Sequence, residues 1–228
     1  MPYFWYDSTY ILVIIAFFLS MFASFGVKAT YAKYSKVRNH SAMTGSMAAR
    51  KILDMNGLYQ VRIERVSGNL TDHYDPKANV IRLSESVYDS DSVAAIGVAA
   101  HETGHAIQHN VGYFPIKLRN AVLPVANIGA NAAMPLAILG FIMGLPMLVN
   151  IGIVLFSAVV LFQLVTLPVE FNASARALSI LKNGYILTEV ELNGAKKVLT
   201  AAALTYVAAM LTSLMSLIRL ILLSRNRD

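Results

Sequence analysis

The segment His101-Glu102-Thr103-Gly104-His105 has the residue types and the spacing for metal-dependent chemistry. Two histidines four residues apart lie one turn apart on the same face of a helix, so both imidazoles can reach one zinc ion. The glutamate between them is placed to take a proton from a zinc-bound water without being a ligand itself. Because unpaired His and Glu would be costly in an otherwise small and apolar helix, metal binding explains the three polar residues together.

A catalytic zinc site usually has three protein ligands and a water, so a third ligand must come from elsewhere in the chain. On a continuous helix His109 lies two turns, about 11 Å, from His101, and we interpret it as a helix-surface residue or as a support for the ligands. His73 is expected to face solvent, and His40 is expected to lie at the membrane interface. Glu170 directly follows an apolar run and begins a predicted helix, where its favourable interaction with the helix dipole is an alternative explanation.

These residues belong to a chain with the composition of a membrane protein. Of its 228 residues, 56% are hydrophobic and 14% are charged, whereas a soluble domain has roughly 45–50% apolar and 25% charged residues. The absence of cysteine leaves only His and carboxylates to hold a metal. The net charge of +6 is spread between apolar runs, which argues against nucleic-acid binding. Four runs are long enough to span a bilayer as helices, at residues 10–27, 121–144, 147–168 and 201–223.

The basic residues predict how the chain is oriented in the membrane. They concentrate in residues 28–120 and 169–200, which the positive-inside rule places in the cytoplasm. The second and third spans form a hairpin, so two crossings put these segments on the same side, with the candidate site facing the cytoplasm. The first span is interpreted as an uncleaved anchor because basic residues follow it rather than precede it. Arg219 either reaches the far interface with its long side chain or marks a fourth run that does not fully cross.

The predicted cytoplasmic segment between the first two spans divides into a helix, a strand-rich portion and a second helix. The first helix is predicted over Lys28–Met55 and ends at a Gly in position 57. Alternating residues predict two or three strands before position 84, and the strand over residues 79–83 is expected to offer an edge to an extended substrate. Ser90-Asp91-Ser92 predicts the start of the helix that carries the two histidines.

The predicted fold is thus a mainly α-helical integral membrane protein of about four transmembrane helices, with a small β-sheet next to a zincin-type helix. Residues 1–228 are taken as one domain. Within the apolar runs, Asn127, Asn131 and Gln163 are expected to form interhelical hydrogen bonds, with a water-lined cavity as the alternative.

Five segments carry a family resemblance, at residues 70–76, 80–85, 101–108, 167–174 and 201–209. Together they resemble the YugP-like putative neutral zinc metallopeptidases of bacteria over about residues 28–210. More distantly the chain is similar to the membrane gluzincins of the HtpX and CAAX prenyl protease group. The resemblance implies a zinc cofactor, Glu170 as the third ligand and a bacterial plasma-membrane location. The family pattern has Asp where this chain has Asn172, which can accept a hydrogen bond from a ligand histidine only without charge.

The leading functional hypothesis is a membrane zinc endopeptidase, with His101, His105 and Glu170 as ligands and Glu102 as general base. Tyr206 and Arg176 are candidate donors to the oxygen that becomes negative in the transition state. Its partners would be protein or peptide substrates and the lipid bilayer, with a role in membrane protein quality control as one hypothesis. The alternatives are a zinc hydrolase of a non-peptide bond and a non-catalytic scaffold with a structural zinc. The oligomeric state, the natural substrate and the metal loaded in the cell stay open.

Overall fold

The computed structural model of the protein describes residues 8–225. Within that range the chain is mainly helical, with one small sheet, as predicted. The elements follow in the order α1 (Tyr10–Tyr34), α2 (Gly45–Met55), β1 (Arg62–Val66), β2 (His73–Asp75), β3 (Val80–Ser84), α3 (Glu85–Tyr88), α4 (Val93–Asn110), α5 (Phe114–Met143), α6 (Pro146–Asn183) and α7 (Glu189–Arg225).

Helices α1, α5, α6 and α7 are long and apolar enough to cross a membrane. The four predicted spans lie inside these helices, except that the second predicted span runs one residue past the end of α5. The prediction that a new helix begins at Glu170 is wrong, because α6 continues through Pro168 to Asn183. Glu170 therefore lies inside a helix, and its position is not explained by the dipole of a helix N-terminus.

The described residues form two compact units. The apolar unit comprises residues 8–24, 117–168 and 204–225, and the polar unit comprises residues 25–116 and 169–203. The polar unit thus combines the two segments that the topology argument places on the same side of the membrane.

In the apolar unit α1 and α7 run side by side in opposite directions. Ser20 Oγ lies 3.0 Å from Thr212 Oγ1, and the Arg219 guanidinium lies 4.5 Å from the centre of the Tyr10 ring. Arg219 therefore reaches the first residue of α1, and the packing supports the alternative in which its side chain extends to the far interface. Arg227, at the end of the predicted tail, falls outside the described residues.

Helices α5 and α6 pack closely through small residues. A Cβ on Gly129 would collide with Leu155 O, and a Cβ on Gly152 would lie 2.8 Å from Ala133 O. Only the two residues 144–145 separate the two helices, which confirms the predicted hairpin. One side of α5 therefore packs against α6.

The polar unit is built on a three-stranded sheet of order β1-β3-β2, with β1 parallel and β2 antiparallel to β3. The prediction that residues 79–83 offer a free edge is wrong, because β3 is the central strand and pairs with a neighbour on each side. Asp72 also accepts hydrogen bonds from the Ser84 backbone and hydroxyl at the end of β3. The buried core of this unit joins α2, β3, α4 and α6 through Ala49, Ile52, Leu53, Ile81, Leu83, Ile96, Ala99, Ala177 and Leu181.

The predicted helix over Lys28–Met55 is two helices, separated by a loop over residues 35–44. Asn39 fixes this loop, because its side-chain amide donates to Met43 O at 2.8 Å and its backbone N–H donates to Asp91 O at 2.9 Å. Thr44 then caps α2 by accepting a hydrogen bond from Met47 N. The end of α2 before Gly57, which has a φ of 71°, agrees with the prediction.

Candidate metal centre

Helix α4 carries both histidines on one face. Ser92 Oγ accepts a hydrogen bond from Ala95 N at 3.2 Å, which is the predicted capping of this helix. The helix is continuous to Asn110, and the ring centres of His101 and His105 are 4.7 Å apart. Glu102, between the two histidines in the sequence, is buried with 8% exposure.

Helix α6 brings Glu170 to the same place, because Gly104 allows its backbone to approach α4. A Cβ on Gly104 would lie 2.6 Å from Ala173 O, closer than real Cβ contacts allow. Ala173 and Ala177 are fully buried on the same side of α6. The two helices are thus in backbone contact next to the candidate ligands, and Glu170 itself is 4% exposed.

His101, His105 and Glu170 place one ligand atom each within 4.8 Å of one another. The Nε2 atoms of His101 and His105 lie 3.3 Å and 3.6 Å from the same oxygen, Oε2 of Glu170. Two ligands of a tetrahedral zinc at its usual bond lengths are roughly 3.4 Å apart. These separations therefore match the spacing that zinc ligands require.

Hydrogen bonds at the Nδ1 atoms fix which side of each ring faces Glu170. Nδ1 of His105 lies 3.0 Å from Gln108 Oε1, while Gln108 Nε2 donates to Val169 O at 2.8 Å. Because the Gln108 nitrogen is the donor on the other side, its oxygen must accept from His105 Nδ1. Nδ1 of His101 lies 3.1 Å from Ser174 Oγ. Each ring thus directs Nε2 towards the carboxylate.

The protonation state of His105 shows whether these residues suit a metal ion. With Nδ1 of His105 donating to Gln108, a neutral ring would present the lone pair of Nε2 to the Glu170 carboxylate, and two acceptors repel each other. A proton or a cation must lie between them. Burial by itself lowers the pKa of His105, but the hydrogen bond with Glu170 and the charges of Glu102 and Glu170 outweigh it and raise the pKa. The site therefore favours a positive charge where a divalent ion would bind, and the donor set fits zinc.

Asn172 does not contact a candidate ligand directly, as was expected, but bonds to Gln108, which in turn contacts His105. Its Oδ1 accepts hydrogen bonds from Gln108 Nε2 at 3.0 Å and from Arg176 Nε at 2.7 Å. The contact to a ligand histidine expected at this position is made instead by Gln108 and, for His101, by Ser174. The Arg176 guanidinium also lies 6.0 Å from the centre of the Tyr113 ring.

None of the other three described histidines belongs to this group. His109 is partly exposed, and its ring contacts Tyr74 of β2 at 5.5 Å between centres. His73 is exposed, as predicted, although it begins β2 rather than a turn. His40 is exposed and its Nδ1 lies 2.9 Å from Glu191 Oε2. Tyr206 lies on α7 in the apolar unit.

Gln108 and Ser174 are the residues that sequence reasoning missed. Gln108 follows His105 by three positions, and Ser174 follows Glu170 by four, so each lies on the same helix face as a candidate ligand. Polar residues at those offsets from a ligand are a signal that a search for ligand supports could have used.

Comparison with known proteins gives a family and one curated relative. The family model described as "Putative neutral zinc metallopeptidase" matches residues 9–225. The protein named "Putative membrane protease YugP" from Bacillus subtilis (strain 168) is 51% identical over 215 residues, which cover 94% of this chain and 96% of that protein. No solved structure matches the chain.

Proposed function

The chain belongs to the family described as putative neutral zinc metallopeptidases, and we propose that it is a membrane-embedded zinc endopeptidase of the gluzincin type. In this proposal His101, His105 and Glu170 bind Zn²⁺, and Glu102 is the general base. The observation that carries the proposal is the convergence of the three ligand atoms within 4.8 Å, with both histidine rings held by hydrogen bonds at Nδ1.

Zinc bound there would supply a Lewis acid that activates water and polarises the peptide carbonyl. Glu102 would accept the proton of the attacking water and deliver it to the leaving amine. Gln108 and Ser174 hold the histidine rings in the orientation that binding needs. Arg176, which lies in the polar unit with the candidate ligands, is proposed as a donor to the carbonyl oxygen of the substrate.

We place the extended substrate along β2 rather than β3. Within residues 8–225, β2 pairs with β3 on one side and has no strand on the other. Tyr74 of β2 contacts His109 of α4, so this strand lies against the helix that carries the candidate ligands. Main-chain pairing along the open edge would accept many sequences, which predicts broad specificity.

The proposed enzyme acts as a single domain over residues 1–228 in the plasma membrane, with its site at the cytoplasmic face. The concentration of basic residues in the polar unit supports this orientation. An active site on the cytoplasmic side of a membrane protein is suited to misfolded membrane proteins as substrates, which is the quality-control role we propose.

Replacement of Glu102 by Gln tests the mechanism. We expect Glu102→Gln to retain zinc and to lose casein cleavage by about 10²–10⁴-fold, because the general base is removed while the ligands remain. Glu170→Ala should lose zinc and cleavage together. Zinc content and cleavage rate would both be measured on detergent-purified protein.

Glu85→Gln is the matched control, because Glu85 is an exposed acid whose side chain lies 3.9 Å from Arg65. It should match the wild-type protein in zinc content and in cleavage. Bound zinc together with undiminished cleavage in Glu102→Gln would overturn the assignment of the base. Zinc binding without cleavage of any peptide by the wild type would favour a structural zinc or a hydrolase of another bond.

A further inference from the structure

One face of α5 presents side-chain amides to the outside of the chain. Asn127 and Asn131 are exposed, and Pro124 and Pro135 are exposed on the same side. The spacings of three and four residues place all four on one stripe of the helix. The opposite side of α5 contacts α6 through Gly129 and Ala133. Within residues 8–225 this amide stripe is therefore not covered by the chain.

The depth of the stripe makes its exposure to lipid costly. The predicted span begins at residue 121, and at 1.5 Å per residue Asn131 lies about 15 Å further along α5. The hydrocarbon core is about 30 Å thick, so Asn131 falls near its centre. An amide without a hydrogen-bond partner is strongly disfavoured there, because no water is present to replace one.

The expected interhelical hydrogen bonds of Asn127 and Asn131 are not made inside the described chain. Asn131 Nδ2 donates to Asn127 O in the same helix at 2.8 Å. Pro135 has no N–H, so the helix hydrogen bond that residue 135 would normally give to Asn131 O is missing. Three groups on the stripe can therefore form hydrogen bonds with a partner outside the chain. They are the Asn127 side-chain amide, the Asn131 side-chain oxygen and the Asn131 backbone oxygen. The stripe offers donors and acceptors together.

We propose that this stripe is the interface with a second copy of the chain, in which two α5 helices pack parallel about a two-fold axis. Copies inserted in the same direction can be related only by an axis along the membrane normal, which puts Asn131 opposite its counterpart at the same depth. A carboxamide both donates and accepts, so a second copy supplies the matching groups at each level. Interhelical amide bonds of this kind stabilise helix pairs in membranes.

Oxidative crosslinking of single-cysteine variants tests the interface, because the natural chain has no cysteine. Ile138 is 50% exposed and lies seven residues after Asn131 on the same stripe. We expect Ile138→Cys in the full chain, reconstituted in lipid vesicles, to form a disulfide-linked dimer. Val154→Cys is the matched control, because Val154 is 70% exposed on α6. It should crosslink at least tenfold less.

The amides are then removed in the Ile138→Cys background with Asn127→Leu and Asn131→Leu together. The dimer fraction should fall about tenfold, while unchanged helical circular dichroism shows that the variant still folds. Equal crosslinking of Ile138→Cys and Val154→Cys would overturn the proposal, and so would a dimer that persists without the two amides. In cell membranes, an adduct of Ile138→Cys with a different protein in place of the dimer would also overturn it. Neither result depends on the proposed peptidase activity.

Discussion

Gln108 connects the two helices that supply the candidate ligands. Its oxygen accepts from His105 Nδ1, and its nitrogen donates to Val169 O, the residue before Glu170. It is fully buried, so neither end of its amide has water as an alternative partner. A single side chain therefore sets the orientation of one ligand and the position of the segment that carries another.

Replacing Gln108 with methionine should weaken zinc binding without removing any ligand. Methionine has a similar shape but cannot accept from His105, so we expect the Kd for zinc to rise about 10–100-fold. Competition with a chelator of known affinity would measure the change. Gln60→Met, at an exposed position, is the control and should leave the Kd unchanged. The same Kd in Gln108→Met and in the wild type would refute the role we give to Gln108.

At the residue scale, the sequence pointed to the candidate site residues but not to the side chains that orient them. His101, Glu102 and His105 are recognisable because their chemistry and spacing lie within one turn of helix. The bonds from Gln108 to Val169 and Asn172 join residues more than 60 positions apart, and local spacing carries no information about such contacts.

At the scale of elements, the contact between α4 and α6 depends on Gly104. Any side chain there would push against the Ala173 carbonyl, which is backbone and cannot turn away. The candidate metal centre needs this contact, because Glu170 is three positions from Ala173 on the same helix. The glycine inside the H-E-x-x-H segment is therefore a packing requirement as well as a spacer.

Gly104→Ala should destabilise the protein and disturb the candidate metal centre. Overpacking at a backbone contact costs about 1–3 kcal/mol, so we expect a lower Tm in detergent and reduced zinc content. Gly26→Ala is the matched control, because a Cβ added to this helical glycine would meet no atom of a packed neighbour within 4 Å. It should be neutral or slightly stabilising. Equal Tm values for the two variants would contradict the packing argument.

The elements that sequence patterns predicted well are those determined by local composition. The four long apolar helices were found because hydropathy accumulates along each run. The break between α1 and α2 was missed, because it contains no proline and is held by the contact of Asn39 with Asp91, far along the chain. The place of β3 at the centre of the sheet was missed for the same reason, since strand pairing is not local.

At the scale of the whole molecule, the distribution of basic residues predicts the direction of insertion. We expect Leu145→Cys, between α5 and α6, to react in intact cells with a maleimide that cannot cross the membrane. Lys77→Cys, in the polar unit, should react only after the membrane is permeabilised, with at least a tenfold difference in labelling. Both residues are exposed in the folded chain. The reverse pattern would place the candidate metal centre outside the cell.

The bond from Gln108 to Val169 and the close approach at Gly104 are made by the polypeptide alone. In many small zinc domains the ion drives folding, and the metal-free chain is disordered. In this chain α4 and α6 also share a buried core, which includes Ile96, Ala99, Ala177 and Leu181. The positions of the candidate ligands therefore depend on apolar side chains that never touch the ion. Damage to that core should reach the candidate metal centre even when every ligand is intact.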